Sequence, residues 1–427
     1  MSLSTEKSLR NKVMYQIFVR NFSEAGTFAE VEKKLDEIKK LGVDIIWLMP
    51  IHPIGKKKRK GTLGSPYAIS DYRSINPEFG TIEDFESLVN AIHSKGMKCI
   101  IDVVYNHTSP DSVLSSEHPE WFYHREDGSF GNRVGDWSDI IDLDYNNHEL
   151  WDYQIDTLKY WAGYVDGFRC DVAPLIPIEF WKKARQEVAK VREDCLWLSE
   201  SVEPGFILYM RGRGLTALSD SEIFRAFDIS YDYDCYSFFC DCIDGGSLSE
   251  YAKAINRQEY IYPDNYVKLR FLENHDVTRA SFLIPDERML KNWTAFMFFQ
   301  KGMALIYNGQ EKGITHLPSL FDKDTIEWQS DNTVDLTLLI RKLSEIKHDS
   351  IFTDSVYEVK TTAEDFITAV HTKGNNKAVG VFSVKGKTSS VKVPLDDGFY
   401  TDMISGQKIE VFRGMIRNTG EPIIIMK

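Results

Sequence analysis

The sequence lacks an excess of positive charge. Lys and Arg number 51 against 64 Asp and Glu, which gives a formal net charge of −13 over 427 residues. Nucleic acids and anionic membrane surfaces attract basic proteins, so this balance argues against both as partners and suits a neutral ligand. The one basic run, KKKRK at 56–60, lies between two glycines and is interpreted as a solvated turn.

A long apolar run is also missing. No stretch of about 18 apolar residues, the length that crosses a bilayer, occurs in the chain, and the opening MSLSTEKSLRNKV has no apolar segment of signal-peptide length. These absences predict a soluble protein of the cytoplasm. The composition is 43% hydrophobic and 13% aromatic, which is enough for a large core and for more than one domain.

Paired metal-ligand spacings are absent as well. Cys235, Cys240 and Cys242 lie close together, but they do not form a C-x-x-C pair and have no His nearby. His107 and His275 have no second His at ligand spacing, which argues against a metal-dependent hydrolase. We therefore predict reduced thiols, no metal ligands and no cofactor.

What the sequence does contain is a regular alternation of strand-like and helical patterns. Thr27 with Glu30, and Thr81 with Asp84, have the spacing of capping boxes at the starts of two helices. The apolar runs are VMYQIFV, VDIIWLMP, KCIIDVVYNH, GFRCD, LWLSES, AFDISYDY, VKLRFLEN and MALIYNGQE. Eight strand-helix units over somewhat more than 300 residues are typical of an α/β fold, the TIM (β/α)8 barrel.

Two segments do not fit this alternation. Residues 108–148 are rich in turn formers and aromatics, and they are predicted to form a loop-rich small domain inserted after strand three. From 351 to 427, short alternating runs separated by Gly, Asn and Asp predict a C-terminal antiparallel β-sandwich domain. The barrel is then assigned to 1–107 and 149–350.

Three acids each end a predicted strand or follow it directly: Asp171, Glu200 and Asp276. A carboxylate in apolar surroundings must be paired, hydrogen-bonded or shifted in pKa, and catalytic acids meet these conditions. The carboxyl ends of barrel strands meet at one rim. Five further polar or charged residues at the same strand ends are expected to join them at that rim: Asp102, Asn106, His107, Arg169 and His275.

The surroundings of two of the acids suggest different protonation states. Arg169 lies two residues before Asp171 and shares its strand face, so its charge should keep Asp171 ionised. Glu200 follows an apolar Leu-Trp-Leu run, where desolvation should raise its pKa. One ionised and one protonated carboxyl are the requirement of glycoside hydrolysis through a covalent intermediate.

Four segments carry a family resemblance: DVVYNH (102–107), GFRCDVA (167–173), LSES (198–201) and FLENHD (271–276) resemble the signature segments of the α-amylase family of retaining glycosidases. SPYAISDYRSINPEFGT (65–81) and DIIDLD (139–144) resemble two further family segments, so the resemblance covers nearly the whole chain.

The resemblance implies roles for individual residues. Asp171 would be the nucleophile, Glu200 the general acid/base, and Asp276 the acid that holds hydroxyls of the reacting sugar. His107 and His275 would hydrogen-bond the same sugar, and Tyr67 would stack on it. In the family, the positions of Asp102 and Asn106 mostly support the loop architecture.

The sequence departs from many α-1,4 endo-acting members after the nucleophile. Pro174 and Leu175 replace a Lys-His pair that includes a backbone ligand of the calcium site typical of secreted amylases. The loop RNFSEAGT (20–27) lacks the acid-rich cation loop of some oligosaccharide-cleaving members. The resemblance therefore gives no metal prediction. Val172 and Ala173 are similar to members that act on short oligosaccharides, cyclodextrins or α-1,6 linkages.

The leading hypothesis is retaining hydrolysis of α-glucosidic bonds in maltooligosaccharides or related soluble α-glucans. One alternative is an α-glucosyltransferase that passes the same intermediate to a sugar, and another is an α-1,6-specific oligosaccharide glucosidase. A non-catalytic glycan-binding barrel should lack at least one of the three acids, and all are present. Linkage preference, endo or exo action and oligomeric state are left open.

Overall fold

The computed structural model describes residues 5–135, 137–329, 334–362 and 365–427, so the first four residues of the N-terminal segment lie outside the description. Its centre is a closed barrel of parallel strands in the order β1-β8-β7-β6-β5-β4-β3-β2. The strands are β1 (Val13–Ile17), β2 (Ile45–Leu48), β3 (Lys98–Val103), β4 (Gly167–Cys170), β5 (Leu196–Ser199), β6 (Ile229–Tyr231), β7 (Val267–Arg270) and β8 (Met303–Tyr307). The predicted TIM barrel is thus confirmed.

Helices surround this barrel and occupy its connecting segments. They are α1 (Val19–Phe22), α2 (Phe28–Glu32), α3 (Leu35–Lys40), α4 (Ile82–Ser94), α5 (Val113–Glu117), α6 (His148–Ala162), α7 (Ile178–Val188), α8 (Pro204–Gly212), α9 (Asp220–Ile223), α10 (Tyr233–Ile243), α11 (Leu248–Ile261), α12 (Ala280–Leu283), α13 (Glu287–Phe299) and α14 (Thr337–Lys347). Among the described residues, no helix is both long and apolar enough to cross a membrane.

The two predicted capping boxes differ in outcome. Thr81 and Asp84 form the reciprocal pair of hydrogen bonds at the start of α4, as predicted. The Thr27 side chain makes no cap bond, and the single helix expected there is divided into α2 and α3. Glu30 N–H instead donates to the backbone oxygen of Thr27, and Phe28 N–H donates to Phe79 O, so backbone oxygens take the place of the cap.

The segment after β3 leaves the barrel as an irregular excursion, residues 108–148. A short antiparallel ladder pairs His107–Thr108 with Ile141–Asp142 and so closes its base. The helix α5 and a 3₁₀ turn at Pro119–Trp121 are its regular helical elements within the described residues. Both ends of the excursion are therefore held beside the mouth of the barrel.

The last part of the chain forms two antiparallel sheets. The strands are β9 (Val356–Thr362), β10 (Phe366–Lys373), β11 (Asn376–Phe382), β12 (Ser389–Lys392), β13 (Gly398–Thr401), β14 (Lys408–Phe412), β15 (Met415–Asn418) and β16 (Ile423–Met426). One sheet has the order β9-β10-β11-β16 and the other β12-β15-β14-β13. Apolar side chains from both sheets share one core, which is the predicted sandwich.

Candidate active site

The acids predicted from the sequence meet in a cavity of about 360 Å³ at the carboxyl ends of the barrel strands. Asp171 directly follows β4, Glu200 directly follows β5, and Asp276 lies in the loop after β7. The lining residues are Lys60, Ser65, Tyr67, His107, Trp137, Asp139, Ile140, Asp171, Val172, Glu200, Tyr233, His275, Asp276 and Phe321. Six of the seven predicted site residues are among them.

The seventh, Arg169, lies below the cavity and is fully buried. Its Nη1 is 2.8 Å from Asp171 Oδ1 and also 2.8 Å from Asp102 Oδ1. Its Nη2 is 2.8 Å from Glu200 Oε1. Parallel pairing places Asp102 of β3 opposite Arg169 of β4, so barrel closure itself brings the guanidinium to these carboxylates. One cation therefore serves three buried acids.

Burial raises the pKa values of all three carboxyls, because desolvation penalises their charged forms more than the one shared cation favours them. Burial raises the pKa of Glu200 to about 8 against the opposing charge of Arg169, and the charges of Asp171 and Asp276 raise it further. Burial likewise raises the pKa of Asp171 to about 7, again against Arg169. The charge of Arg169 lowers the pKa of Asp171, as expected, but desolvation has the larger effect and raises it. The carboxyls around Arg169 therefore titrate together, and the set retains a proton near neutral pH.

The residue after Asp171 has a strained backbone. Val172 has φ 35° and ψ 41°, in the left-handed region that β-branched residues rarely adopt. Its N–H donates to Glu200 Oε2 at 2.8 Å. The sharp turn that this conformation produces therefore aims the Val172 amide at Glu200, and this hydrogen bond fixes the glutamate side chain at the wall of the cavity. Strain of this kind is typical of functional sites.

His275 and Tyr67 form a hydrogen-bonded chain on another wall. Burial lowers the pKa of His275 to about 4, so its ring is neutral near pH 7. Gln16 Nε2 donates to His275 Nδ1 at 2.7 Å, which leaves the ring proton on Nε2. That nitrogen is 2.6 Å from the Tyr67 hydroxyl, which donates to Asp102 Oδ2 at 3.0 Å. His275 Nε2 is also 3.1 Å from Asp276.

His107 lies on the side of the cavity nearest the excursion. Its Nε2 is 3.9 Å from Asp171 Oδ2, and burial lowers its pKa to about 4. Trp137 of the excursion covers the His107 ring, with ring centroids 5.6 Å apart. The sequence did not single out Trp137 and Phe321, which lie in loops, or Tyr233, which begins α10, since a single aromatic residue gives no local signal that it faces a cavity.

The basic run at 56–60 is not entirely a solvated turn. Lys56, Lys57 and Lys58 are exposed, as expected. Lys60, however, lines the cavity, and its Nζ is 2.9 Å from Asp139 Oδ1 in the excursion. The interpretation of the run as wholly solvated is therefore wrong for Lys60. Its partner lies 79 positions away in the chain, which no local pattern reveals.

A second cavity, of about 260 Å³, lies beside Asn106 under the excursion. The guanidinium of Arg133 is 3.6 Å from both Asp142 and Asp144, and it donates to Leu143 O at 3.1 Å. One side-chain cation therefore faces both carboxylates of this cluster. A divalent cation at this position, where the family resemblance raised the question of calcium, would have to compete with the Arg133 guanidinium for these carboxylates.

Asp232, Asp234 and Cys235 form the one acid and thiol grouping within metal-binding distance in the described part of the chain. Lys268 Nζ is 2.8 Å from Asp234, and Arg270 Nη1 is 2.7 Å from Asp232. These two cations balance the acids of the grouping. Cys240 and Cys242, like all six cysteines, are free thiols.

The comparison with family models agrees with this geometry. Residues 16–127 and 114–355 match the α-amylase catalytic domain, and residues 358–425 match the bacterial α-amylase C-terminal domain. These matches together span the barrel strands, the excursion and both C-terminal sheets.

Solved structures and curated sequences agree as well. An α-amylase from Lactobacillus plantarum is 48% identical, with a TM-score of 0.96 and coverage of 99% of this chain and 100% of that one. A maltogenic α-amylase, AmyB, from Thermotoga neapolitana is 34% identical, with a TM-score of 0.88 and coverage of 98% and 99%. α-Amylase MalA of Haloarcula japonica is 28% identical over 93% of this chain, which spans 58% of that protein's length. The chain belongs to the α-amylase family of glycoside hydrolases.

Proposed function

We propose that the protein hydrolyses α-glucosidic bonds in maltooligosaccharides or related soluble α-glucans, with retention of anomeric configuration. The observation that carries this proposal is that Asp171 and Glu200 form ion pairs with the two terminal nitrogens of the buried Arg169 guanidinium. Carboxyls held in this way are near neighbours, and double displacement requires a separation of about 5–5.5 Å. Burial raises the pKa values of both carboxyls, which supports a pair in which one carboxyl keeps a proton while the other is ionised.

In the first step, the ionised carboxylate of Asp171 attacks the anomeric carbon while Glu200 protonates the departing glycosidic oxygen. The positive charge of Arg169 beneath Asp171 aligns the attacking carboxylate. In the second step, Glu200, now ionised, takes a proton from a water that attacks the same carbon and releases Asp171. The hydrogen bond from Val172 N–H holds the Glu200 carboxyl in place through both steps.

The remaining predicted residues are proposed to hold the sugar that reacts. Asp276 is exposed to the cavity and can accept hydrogen bonds from sugar hydroxyls. His107 and His275 are neutral, so neither adds charge beside the developing oxocarbenium ion. The ring proton of His107 can donate to a sugar hydroxyl, whereas that of His275 would have to exchange its contact with the Tyr67 hydroxyl for one with the sugar. Tyr67 stacks on His275 with ring centroids 5.4 Å apart, and we propose that its other face meets the sugar.

We further propose that the enzyme acts in the cytoplasm on dissolved oligosaccharides. All six cysteines are free, and five of them are buried, which suits a reducing compartment. The acidic net charge of −13 suits a neutral glucan better than an anionic polymer.

The test is Asp171→Asn with maltotriose as substrate. We expect kcat to fall by at least about 10³-fold, because the substituted amide is a poor nucleophile, while maltodextrin binding measured by calorimetry persists. The exposed Asp152 supplies a matched control, Asp152→Asn, with the wild-type rate. An unchanged rate in Asp171→Asn would refute the role of Asp171. Fresh product from the wild type should show the α-anomer, and the ratio of glucose to longer products separates hydrolysis from glucosyl transfer.

A further inference from the structure

We propose that Lys60 and Asp139 close the glycone end of the cleft, so that the enzyme takes α-glucan chains from their non-reducing ends. This inference rests on the proposed function and addresses whether cleavage begins at a chain end or in its interior. The residues that carry it belong to three loops, which follow β2, β3 and β8 and meet at Lys60.

The first contact joins two loops across the cavity. Lys60 Nζ, in the loop after β2, is 2.9 Å from Asp139 Oδ1 in the excursion after β3. The Asp139 side chain is only 7% exposed, whereas that of Lys60 is 37% exposed. An ion pair with one buried partner is less screened by solvent than a surface pair. The ion pair of Lys60 and Asp139 is therefore a stable contact between the two loops.

The second contact adds the loop after β8. Lys60 Nζ lies over the Phe321 ring, 5.9 Å from its centroid, and Phe321 itself lines the cavity. Gly61 follows Lys60 with φ 62°, and a Cβ at this position would lie 2.6 Å from Phe321 Cβ. Only glycine allows the backbone to approach Phe321 this closely in this conformation.

Hydrogen bonds to the side chains of Asp111 and Asp322 hold both ends of the loop that carries Lys60, residues 55–64. The amides of Lys56 and Lys57 donate to Asp111 Oδ2 in the excursion at 2.8 and 3.1 Å. At the other end, Thr62 donates its amide and its hydroxyl to Asp322 Oδ1 at 2.8 and 2.7 Å. Both ends of the loop are therefore held by hydrogen bonds, and Lys60 lies between them.

The order of the barrel strands places the contact of Lys60, Asp139 and Phe321, here called the wall, on the glycone side. Glu200 follows β5, and in a closed barrel of eight strands β5 lies across from β1. The strands next to β1 are β2 and β8, which lead into the loops of Lys60 and Phe321. The acid that protonates the leaving group marks the aglycone side. The wall lies opposite to it, where the glycone must extend.

A closed glycone side limits the length of glucan beyond the cleaved bond. The cavity of about 360 Å³ is near the low end of the range for small-molecule sites, roughly 300–1,000 Å³. The interior of a long chain would have to continue through the ion pair of Lys60 and Asp139. Cleavage therefore releases a short saccharide from the non-reducing end, and Lys60 and Asp139 are specificity-determining residues.

The experiment compares two maltooligosaccharide aryl glycosides of equal length, one with a free non-reducing end and one capped there by a 4,6-O-benzylidene group. For the wild type we expect kcat/KM to be at least about tenfold higher on the free-ended substrate, which is the discrimination one pocket contact supplies. In Lys60→Ala and Asp139→Asn the ratio should fall toward one. Lys57→Ala, which removes an exposed lysine of the same loop, should keep the wild-type ratio.

The outcomes separate this proposal from the proposed function. Equal cleavage of capped and free substrates by the wild type overturns the closed end while leaving glycoside hydrolysis intact. An unchanged ratio in both folded variants also overturns the assignment of Lys60 and Asp139. Failure of the wild type to cleave either substrate refutes the proposed function, and the proposal about chain ends falls with it. The wild-type comparison decides the question even where a variant does not fold.

Discussion

Proton occupancy in the cavity depends on three buried carboxyls around one guanidinium. Arg169 contacts Asp102, Asp171 and Glu200, so one positive charge faces three acids that burial penalises when ionised. The acids cannot all be charged near neutral pH at low cost. The proton retained by Glu200 is the one that the proposed mechanism delivers to the leaving oxygen. The groups titrate as a coupled set, so kinetic pKa values belong to the set.

The first prediction at this scale concerns the pH dependence of kcat/KM. Glu200, with a pKa raised to about 8, must be protonated, so activity should fall as pH rises through this value. Asp171, with a pKa of about 7, must be ionised, so activity should also fall at lower pH. Initial rates between about pH 5 and about pH 10 should give a bell-shaped profile.

A fluoride leaving group supplies the control for that assignment. The fluoride of α-maltosyl fluoride departs without a proton. In Glu200→Gln, the pH profile of glycosylation with this substrate should therefore lose its fall at high pH, the alkaline limb, and keep its fall at low pH, the acid limb. Persistence of the alkaline limb in this variant would show that a group other than Glu200 causes it.

The raised pKa of Asp171 also predicts a cost in stability. A carboxyl whose pKa is higher in the folded state, about 7 against an ordinary 3.8, holds its proton more tightly there. Folding stability contributed by this group is therefore lost as pH rises from the ordinary value through 7. Asp171→Asn removes the titration, so its melting temperature should exceed that of the wild type by roughly 2 °C or more at pH 9.

The same difference in melting temperature should shrink at pH 5, where the folded wild type keeps the proton. Scanning calorimetry in matched buffers measures both values. A difference that is the same at both pH values would contradict the coupling of this carboxyl to folding.

At the scale of elements, the two Thr residues with capping-box spacing show where local sequence suffices. Both have an acid three residues later, yet only Thr81 caps its helix, because Phe79 O and the Thr27 backbone oxygen take the amides at the start of α2. The spacing identifies a helix start in each case. Whether the side chain is used depends on the neighbouring loop, which the local pattern does not contain.

This contrast gives a paired prediction. Thr81→Ala removes a side-chain hydrogen bond at the start of α4 and should destabilise the protein by about 1 kcal/mol. Thr27→Ala removes no cap bond, and its effect should stay within about 0.5 kcal/mol. Denaturant unfolding of the two variants in parallel measures the difference. A larger cost for Thr27→Ala than for Thr81→Ala would contradict the capping geometry.

Across the whole molecule, the barrel and the first C-terminal sheet share one apolar core. Phe299 of α13 meets Phe382 of β11 with ring centroids 5.6 Å apart, and Tyr357 and Ile424 belong to the same cluster as the barrel residues. The division at residue 351 stays a prediction about domains. The shared core shows that the two parts stabilise each other.

Asn292 of α13 tests this coupling. It is fully buried, accepts from Ser383 N at 2.6 Å and donates to Gly420 O at 2.8 Å. Asn292→Ala leaves both backbone groups without this partner inside the protein, so we expect a loss of about 2–4 kcal/mol in stability. Thermal unfolding followed by circular dichroism measures it. The neighbouring Lys291→Ala removes a partly exposed ion pair and should change the stability little. A comparable loss in that variant would contradict the role of Asn292 in joining α13 to the C-terminal part.

The sequence by itself determined the barrel, the sandwich and the acids at the strand ends. These rest on local information: apolar runs, helical spacing and short motifs such as GFRCD and FLENHD, which specify strands and the loops that follow them. Tertiary structure decided how charge is shared, since Asp102 and Glu200 reach Arg169 only when β3, β4 and β5 pair in register. It also decided that Lys60 meets Asp139. Electrostatic energy depends on distances between residues far apart in the chain, and barrel closure sets those distances.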